Sequence, residues 1–460
     1  MRKYLAIVLG VLFILSFTAT AFAIHETGEP AISKGAQIVL GGKILVRGWY
    51  FDNVNGSALP TSTQSQAMYS TNANIMIDAN VSDNVRGFME LETSSGQTTL
   101  GGNPDSGLYY WGSIDTKPVA DLFFRQLWIQ YTGSGLLGAP SGIKAGHMPI
   151  TLGEKQFLNN ERFGDDAILL WVDPTKEVHL VLGTTKLVEG NNAVHSDDLD
   201  GYVLIATYML DKDNTIGLNY TLVHSDGLGS PPTVDKLNFD NLGLHANGKV
   251  SGLTYAAEVD FQFGKLDGLT AAADRKFSGY GIFAKLGYMV DPVNLRASFA
   301  MGSGDKNTTD DKNKEFQTLQ GPDTIGATAR LVHYTQIYER TIRTAANEQT
   351  LTGAVRTNGI ANTTYYNLGM DVNPTKEISL SLDGFIIRAT DAWQIDQSKS
   401  VGSEVDFKGT YKIAKNLSYF VEAGVFTPGK FYTTGAAPVN GVGVDKKTVT
   451  QAVHGLQLTF

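Results

Sequence analysis

Two carboxylates that could attract cations stand two residues apart in the segment 253–263. Glu258 and Asp260 belong to its polar positions, and apolar residues stand between and around them. Alternate side chains of a β-strand project from the same face, so both carboxylates would face the same compartment. Where that face meets water, their charges would attract cations locally.

One stretch has the spacing of a calcium-binding loop. Its oxygen-bearing residues are Asp305, Asn307, Thr309 and Asp311. However, Asp310 stands where such a loop needs glycine, and Phe316 stands where a glutamate would close the site. A solvated acidic loop is therefore the favoured interpretation.

Signatures of catalysis are missing from the sequence. The 8 histidines form no H-x-x-x-H pair, and no G-x-S-x-G elbow occurs. The absence of cysteine excludes disulfides, thiolate zinc sites and c-type haem attachment. We therefore expect no catalytic residue, no metal, no cofactor and no enzymatic activity.

The segment 253–263 also indicates what kind of element holds the two carboxylates. Its apolar positions are Leu253, Tyr255, Ala257, Val259, Phe261 and Phe263. A period of two predicts a strand with one apolar and one wet face. In a soluble sandwich the apolar face would be the core, whereas in a membrane barrel it would meet lipid and the wet face would line an aqueous interior.

The N-terminus has the features of a secretory signal peptide. Two basic residues precede an apolar core at residues 5–17, and Ala21-Phe22-Ala23 has the small-x-small pattern of a cleavage site. The core is too short to span the ~30 Å of a bilayer interior. We expect residues 1–23 to be removed and residues 24–460 to form one exported barrel domain.

Composition excludes several other classes of protein. No further apolar run is long enough for a transmembrane helix, so the exported chain would be either soluble or a barrel. The net charge of -9 argues against nucleic acid as a partner. The 50 glycines and 19 tyrosines suit strands, tight turns and interfacial aromatic residues.

Short and long connections alternate along the whole chain. Turns rich in Asp, Asn, Pro or Gly join strands pairwise, and longer polar segments separate the pairs. Eighteen strands are predicted, although a count of sixteen stays open. They lie near residues 38–51, 69–79, 85–91, 122–132, 142–150, 165–172, 177–188, 201–210, 215–224, 237–246, 253–263, 279–290, 294–301, 364–372, 377–389, 402–413, 416–426 and at the C-terminus.

This layout is typical of an outer-membrane barrel rather than of a soluble sandwich or propeller. Soluble folds do not normally place short turns on one side and long loops on the other over such a length. At the C-terminus, Leu456, Leu458 and Phe460 stand at alternate positions. Leu458 and the terminal Phe460 resemble the signal that barrel-assembly machinery recognises, which makes that machinery an expected partner.

Several short motifs, most of them in the last third of the chain, carry a further resemblance. They are Gly302-Ser303-Gly304-Asp305, Glu315-Phe316-Gln317-Thr318-Leu319, Tyr366-Asn367-Leu368-Gly369, Gly402-Ser403-Glu404-Val405-Asp406, Phe426-Thr427-Pro428-Gly429 and, earlier, Arg125-Gln126-Leu127-Trp128. They resemble the alginate-export-type family of bacterial outer-membrane porins. The resemblance implies an all-β, up-and-down transmembrane barrel of eighteen strands with the lipid bilayer as its partner.

The wet faces of the predicted strands supply the candidate pore-lining residues. They are Lys43, Arg47, Arg86, Glu90, Lys144, Glu258, Asp260, Lys285, Arg296, Asp383, Glu404, Asp406, Lys408 and Glu422. For any single one, an ion pair within the wall is the favoured interpretation. The near balance of basic and acidic residues fits small solutes better than a polyanion.

A long loop at residues 306–362 is the candidate constriction. Loops of this length are usually functional or disordered, and residues 329–344 have helical spacing of apolar residues with arginines around them. The arginines are Arg330, Arg340 and Arg343. Folding of this segment into the pore is slightly preferred over a mobile external loop.

The expected function is that of an outer-membrane channel for passive diffusion of small hydrophilic solutes or ions. An alternative is a structural or adhesive barrel, or a barrel that sheathes an electron-transfer partner. The sequence does not identify the solute.

Overall fold

The computed structural model describes most of the chain as one closed antiparallel barrel. The described residues are 36–53, 65–94, 109–110, 121–136, 138–189, 198–227, 234–268, 274–307, 309–319, 334–342, 359–392, 394–434 and 447–460. The predicted signal peptide lies outside them. The count of eighteen barrel strands is confirmed, because each long strand pairs with two neighbours and the last returns to the first.

The eighteen strands follow one another around the barrel in chain order. They are β1 Gln37–Asp52, β2 Gln66–Asn80, β3 Val85–Ser94, β4 Asp121–Leu136, β5 Ala139–Thr151, β6 Asn159–Val172, β7 Val178–Val188, β8 Leu199–Met209, β9 Asn214–Ser225, β10 Val234–Val250, β11 Leu253–Gly268, β12 Tyr280–Val290, β13 Val293–Gly302, β14 Thr363–Val372, β15 Ile378–Ala389, β16 Ser400–Ala414, β17 Leu417–Pro428 and β18 Val449–Thr459.

Closure of the barrel satisfies the backbone of its first and last strands. β1 pairs with β18 from Lys43 opposite Thr459 to Asp52 opposite Thr450. The C-terminal residue extends this pairing, because the backbone N–H of Phe460 donates to Gly42 and the N–H of Gly42 donates back. A barrel wall in lipid must leave no strand edge unpaired, and this seam meets that requirement.

The faces of the strands are those of a membrane barrel. On β11, Glu258 and Asp260 are each 1% exposed, whereas Phe261 and Phe263 are 49% and 44% exposed. Polar residues thus face inward and aromatic residues face outward, the reverse of a soluble sandwich. The alternation predicted from the sequence is confirmed with this orientation.

One hairpin turns later than the sequence predicted. The strands predicted near residues 237–246 and 253–263 leave Asn247-Gly248-Lys249 as the expected turn, but pairing between β10 and β11 continues until Val250 lies opposite Leu253. The turn is Ser251-Gly252, with φ angles of 50° and 87°. Positive φ at both central residues is the geometry of a type I′ turn, which matches strand twist and lets the pairing run to its end.

Side chains stabilise another short turn. In the turn between β8 and β9, the backbone N–H of Asp213 and the side-chain amide of Asn214 both donate to Asp211. The Asp213 N–H, with the Asn214 amide, holds the pKa of Asp211 below its usual range.

Short elements complete the described structure inside and around the barrel. Two-residue and three-residue strands occur at Tyr109–Tyr110, Arg275–Phe277 and Lys312–Asn313. A π-helical turn spans Tyr338–Ile342, and a 3₁₀ turn spans Lys430–Tyr432. Within the described ranges, none of the helical segments has the length and apolar character needed to cross a membrane.

The orientation of β11 makes a testable prediction. Val259 lies on the outward face near the middle of the strand, so Val259→Arg should cost ~2–4 kcal/mol of unfolding free energy in a bilayer. The matched variant Ala256→Arg adds the same charge to the inward face and should cost clearly less. Urea titrations of both variants in lipid vesicles measure the difference. A larger cost for Ala256→Arg would contradict the orientation.

Candidate functional site: the barrel lumen

A cavity of about 530 Å³ lies among inward-facing side chains of the barrel. Five predicted pore-lining residues line it: Lys43, Arg47, Glu90, Lys408 and Glu422. They come from β1, β3, β16 and β17, which are neighbours around the seam of the barrel. The cavity therefore gathers residues that are up to several hundred positions apart in sequence.

The cavity carries an excess of positive charge. Its cationic lining residues are Lys43, Arg47, Arg125, Arg162, Arg340 and Lys408, and its carboxylates are Glu90 and Glu422. The near balance expected for the lumen as a whole is not found here. Because the wall has a low dielectric constant, such a lining raises the local concentration of anions.

Ion pairs organise part of this lining. Nη1 of Arg125 lies 2.8 Å from Glu90, and Nη2 of Arg162 lies 3.3 Å from Glu92. Glu90 and Glu92 are 1% and 0% exposed, and the amides of Asn72 and Asn74 also donate to them. The two carboxylates are thereby buried against the wall, and Glu90, Arg125 and Arg162 line the cavity beside one another.

Arg125 was recognised in the sequence only as part of a motif, and its inward position was missed. The pairing of β3 with β4 shifts register between Glu90 opposite Gln126 and Leu91 opposite Phe124. Arg125 is the extra residue of this β-bulge, so it and Gln126 both donate to Glu90. Strict alternation assigns adjacent residues to opposite faces, which is why the sequence pattern did not identify it.

Part of the long loop lies inside the barrel. The backbone N–H of Gln336 donates to Asp406 at 3.0 Å, and those of Ile337 and Tyr338 donate to Glu404 at 2.6 and 2.9 Å. Both carboxylates project from β16. Two wall carboxylates therefore bind three consecutive backbone N–H groups of the loop, which fixes its path across the lumen.

Aromatic contacts hold the same loop segment. The ring of Tyr334 stacks on Tyr365 of β14 with centroids 4.5 Å apart, and the ring of Tyr338 lies 5.9 Å from that of Phe426 on β17. Arg340 is 2% exposed, and its Nη2 lies 3.5 Å from Glu422. The segment thus carries a buried arginine into the cavity. Arg330 and Arg343 lie outside the described residues.

A second, shorter loop fills another part of the lumen. In residues 152–158, Leu152 and Phe157 are buried, and the Phe157 ring stacks on Phe239 of β10 at 6.1 Å. The backbone N–H of Glu154 donates to Glu258, and the N–H of Leu319 donates to the carbonyl of Phe157. The two loops therefore touch each other and the acidic wall of β11.

The remaining predicted pore-lining residues lie on the inner wall but outside this cavity. Arg86 pairs with Asp78 at 2.7 Å, and Lys144 lies 3.9 Å from the centre of the Trp128 ring. Arg296 pairs with Asp371 and Asp383 at 2.7 and 2.8 Å. These pairs fit the wall interpretation. The side chain of Lys285 is exposed.

The segment with calcium-loop spacing uses its first aspartate to hold its own backbone. Asp305 accepts hydrogen bonds from the N–H groups of Asn307 and Lys314, at 2.9 and 3.0 Å. In the part of the chain that is described, no three acidic or histidine side chains converge as a metal site.

Comparisons with known proteins agree with this architecture. The sequence model of the family named Alginate export matches residues 40–441. No curated protein sequence matches the chain. The solved structures that are similar share little sequence with it, so their likeness concerns the fold.

Three of these structures illustrate the extent of the match. OccK11 (OpdR) of Pseudomonas aeruginosa is 11% identical, with a TM-score of 0.51 over 92% of this chain and 96% of that one. OpdK, an outer membrane protein of Pseudomonas aeruginosa, is 10% identical, with a TM-score of 0.52 over 92% of this chain and 98% of that one. OccAB2 of Acinetobacter baumannii is also 10% identical, with a TM-score of 0.52 over 92% of this chain and 98% of that one.

A closed barrel of eighteen antiparallel strands, an apolar outer face and a family match over most of the sequence lead to one assignment. The chain belongs to the alginate export family of outer-membrane β-barrels.

Proposed function

We propose that this barrel is a channel through which small hydrophilic solutes diffuse passively across the outer membrane, with a preference for anions. The observation that carries the preference is the cavity with six cationic side chains against two carboxylates. Glu90 and Glu422 each lie beside one of these arginines, and Glu92, just behind the lining, lies beside Arg162. Six cations against three carboxylates still leave a positive excess.

The size of the solute follows from the loops that occupy the lumen. A barrel of this strand number is wide enough for an aqueous channel, and without internal loops it would pass solutes of many sizes. Residues 334–342 and 152–158 both pack against the inner wall. The cavity of about 530 Å³ lies within the range of small-molecule sites, which supports small solutes rather than a folded or bulky cargo.

The proposal includes a route to the membrane and assigns no catalytic role. Residues 1–23 would direct export and be cleaved, and Leu458 and Phe460 would present the C-terminal signal to barrel-assembly machinery. Leu458 and Phe460 are 38% and 62% exposed on the outer face, where another protein can reach them during assembly. A purely structural barrel would not need an anion-attracting interior, and conductance separates the two roles.

Removing charge from the cavity should weaken the preference for anions. At ~8 Å in water one unit charge changes the energy of a passing ion by about 0.5 kcal/mol, roughly a twofold change in its local concentration. The double variant Lys43→Gln/Lys408→Gln should therefore lower the chloride-to-potassium permeability ratio severalfold. Reversal potentials across planar bilayers in a KCl gradient measure it.

A matched variant controls for the change in net charge. Lys212→Gln removes a lysine that is 89% exposed in a short turn, away from the cavity. It should leave the permeability ratio unchanged. If the double variant behaves like Lys212→Gln at low salt, where screening is weakest, the cavity does not set selectivity.

Removing the internal segment of the long loop should widen the channel. Deletion of residues 324–350 with a Gly/Ser bridge removes the part anchored to Glu404 and Asp406 and interrupts none of the described strands. Single-channel conductance and the size of sugars admitted in liposome swelling should both increase, because the lumen loses packed side chains.

An anchor variant separates the loop's position from its presence. Glu404→Gln/Asp406→Asn keeps the segment but removes the charge on its acceptors, and it should give fluctuating conductance between the wild-type and deletion levels. Unchanged conductance of a folded deletion variant would instead assign the constriction to residues 152–158.

A further inference from the structure

The same short sequence, Glu-Val-Asp, occurs on two strands of the barrel. Residues 258–260 belong to β11, and residues 404–406 belong to β16. In each copy the two carboxyl groups stand two residues apart and project from the inner face. All four are at most 3% exposed; they are Glu258, Asp260, Glu404 and Asp406. Each strand therefore buries two neighbouring carboxyl groups, and we call each set a carboxyl pair.

The two members of each carboxyl pair hydrogen-bond each other. Glu258 contacts Asp260 in this way, and Glu404 contacts Asp406. An ionised carboxylate only accepts hydrogen bonds, so the contact requires a proton on one of the two groups. Two carboxylates in contact and withdrawn from water would repel each other if both were ionised. Each pair therefore holds one proton, which belongs to the pair rather than to either residue.

The other hydrogen bonds leave oxygen atoms uncovered for this proton. The side-chain amide of Asn241 donates to Oδ1 of Asp260, and the backbone N–H of Glu154 donates to Oε2 of Glu258. Among the described residues, none donates to the remaining oxygen atoms, Oε1 of Glu258 and Oδ2 of Asp260, or to Oδ1 of Asp406. A shared proton satisfies these buried atoms, which would otherwise be costly to leave without a partner.

Both carboxyl pairs also hold a loop inside the barrel. Glu258 accepts a backbone N–H of the segment 152–158, and the other pair accepts three consecutive N–H groups of the segment 334–342. A hydrogen bond to a charged acceptor is roughly twice as strong as one to a neutral acceptor. A pair with one proton keeps one negative charge for the loop and avoids the repulsion between two.

Charged side chains surround the pair on β16, and four of them form ion pairs with one another. They are Asp383 with Arg296, Glu422 with Arg340, Lys408 and Glu339. Around the pair on β11 they are Glu154 and Lys155 of the loop, Lys285 of β12 and His245 of β10. Within the described part of the chain, no basic side chain forms an ion pair with any of the four carboxyl groups. The shared proton is therefore the positive charge nearest to each pair.

We propose that each carboxyl pair is a proton-dependent latch, in which one shared proton lets the pair hold its loop and loss of that proton at alkaline pH releases the loop. When the proton passes to water, the pair carries two buried negative charges, which water can stabilise only once the loop has moved away. The released state binds fewer protons than the held state, so rising pH favours release. Control of conductance by the latch rests on the proposed channel function, whereas the latch itself does not.

Infrared spectroscopy of the purified barrel in detergent tests for the shared protons. At neutral pH the wild type should show the carbonyl absorption of protonated carboxyl groups. Asp260→Asn and Asp406→Asn should each remove part of it, because an amide replaces one of the two groups that share the proton. The matched control is Asp83→Asn in an exposed turn, which should leave the absorption unchanged.

Hydrogen exchange of the loop backbones, corrected for the intrinsic effect of pH, tests the latch. Once the pairs lose their protons, protection of both segments in the wild type should fall by about tenfold per pH unit at most, since each loop is coupled to one proton. In Asp406→Asn the amide still donates to Glu404 at alkaline pH. The fall should therefore disappear for residues 334–342 and persist for residues 152–158, which makes the second loop an internal control.

Glu404→Gln is a second variant of the same pair and should also remove the pH dependence for residues 334–342. Heat-dependent mobility in gels checks that every variant is folded. Asp260→Asn should give the opposite pattern from Asp406→Asn, with the pH dependence lost only for residues 152–158.

Three results from folded proteins would overturn the proposal. They are protonated-carboxyl absorption that is equal in the wild type and both Asp→Asn variants, wild-type protection that does not fall as the pH rises, and an unchanged fall for residues 334–342 in Asp406→Asn. Conductance gives a separate answer: it should rise with pH in the wild type but not in Asp406→Asn. A wild type that never conducts, with the infrared and exchange results as expected, would contradict the channel function and not the latch.

Discussion

Buried carboxylates on the inner wall hold the loops that fill this barrel. Glu404 and Asp406 accept three backbone N–H groups of the long loop, and Glu258 accepts one from the short loop. A carboxylate withdrawn from water must find donors or cations, and a loop withdrawn from water must find acceptors. The buried carboxylates accept hydrogen bonds from the buried N–H groups of the loops, so the loops and the wall pack as one unit.

Burial of these acidic residues determines which charged side chains remain exposed in the lumen. Glu90, Glu92, Glu404 and Asp406 are buried against wall arginines or loop backbone. Of the six cations that line the cavity, Arg47, Arg162 and Arg340 are buried as well, and Lys43, Arg125 and Lys408 keep part of their surface exposed. An even count of basic and acidic residues on the wet faces therefore gives a positive cavity. The electrostatic character of the channel depends on which charges remain accessible, and the packing of the loops determines that.

Much of the barrel could be predicted because its rules are local. A period of two identified the strands, and Asp, Asn, Pro and Gly identified the short turns. The turn at Ser251-Gly252 was misplaced because Asn247-Gly248 is an equally good turn sequence. The start of β6 at Asn159 rather than near residue 165 was missed because residues 159–164 lack the alternation.

The candidate site was predicted less completely because it depends on contacts between distant segments. The wet faces identified Lys43, Arg47 and Lys408, but a β-bulge brought in Arg125, and a loop brought in Arg340. Which loop segments enter the barrel depends on wall carboxylates far away in sequence. Those pairings have no periodic signature, so the sequence indicated Arg340 and a loop inside the pore only through the length of the loop and the helical spacing in residues 329–344.

The most direct test of whether the cationic cavity lies on the conducting path uses the absence of native cysteines. Ser418 lines the cavity, and Ser418→Cys is a nearly isosteric change. A negatively charged methanethiosulfonate reagent applied to single channels in a bilayer should reduce the current in irreversible steps, and Ser82→Cys in an exposed turn should show no such steps. A Ser418→Cys channel that conducts unchanged after complete modification, verified by mass spectrometry, would contradict the account.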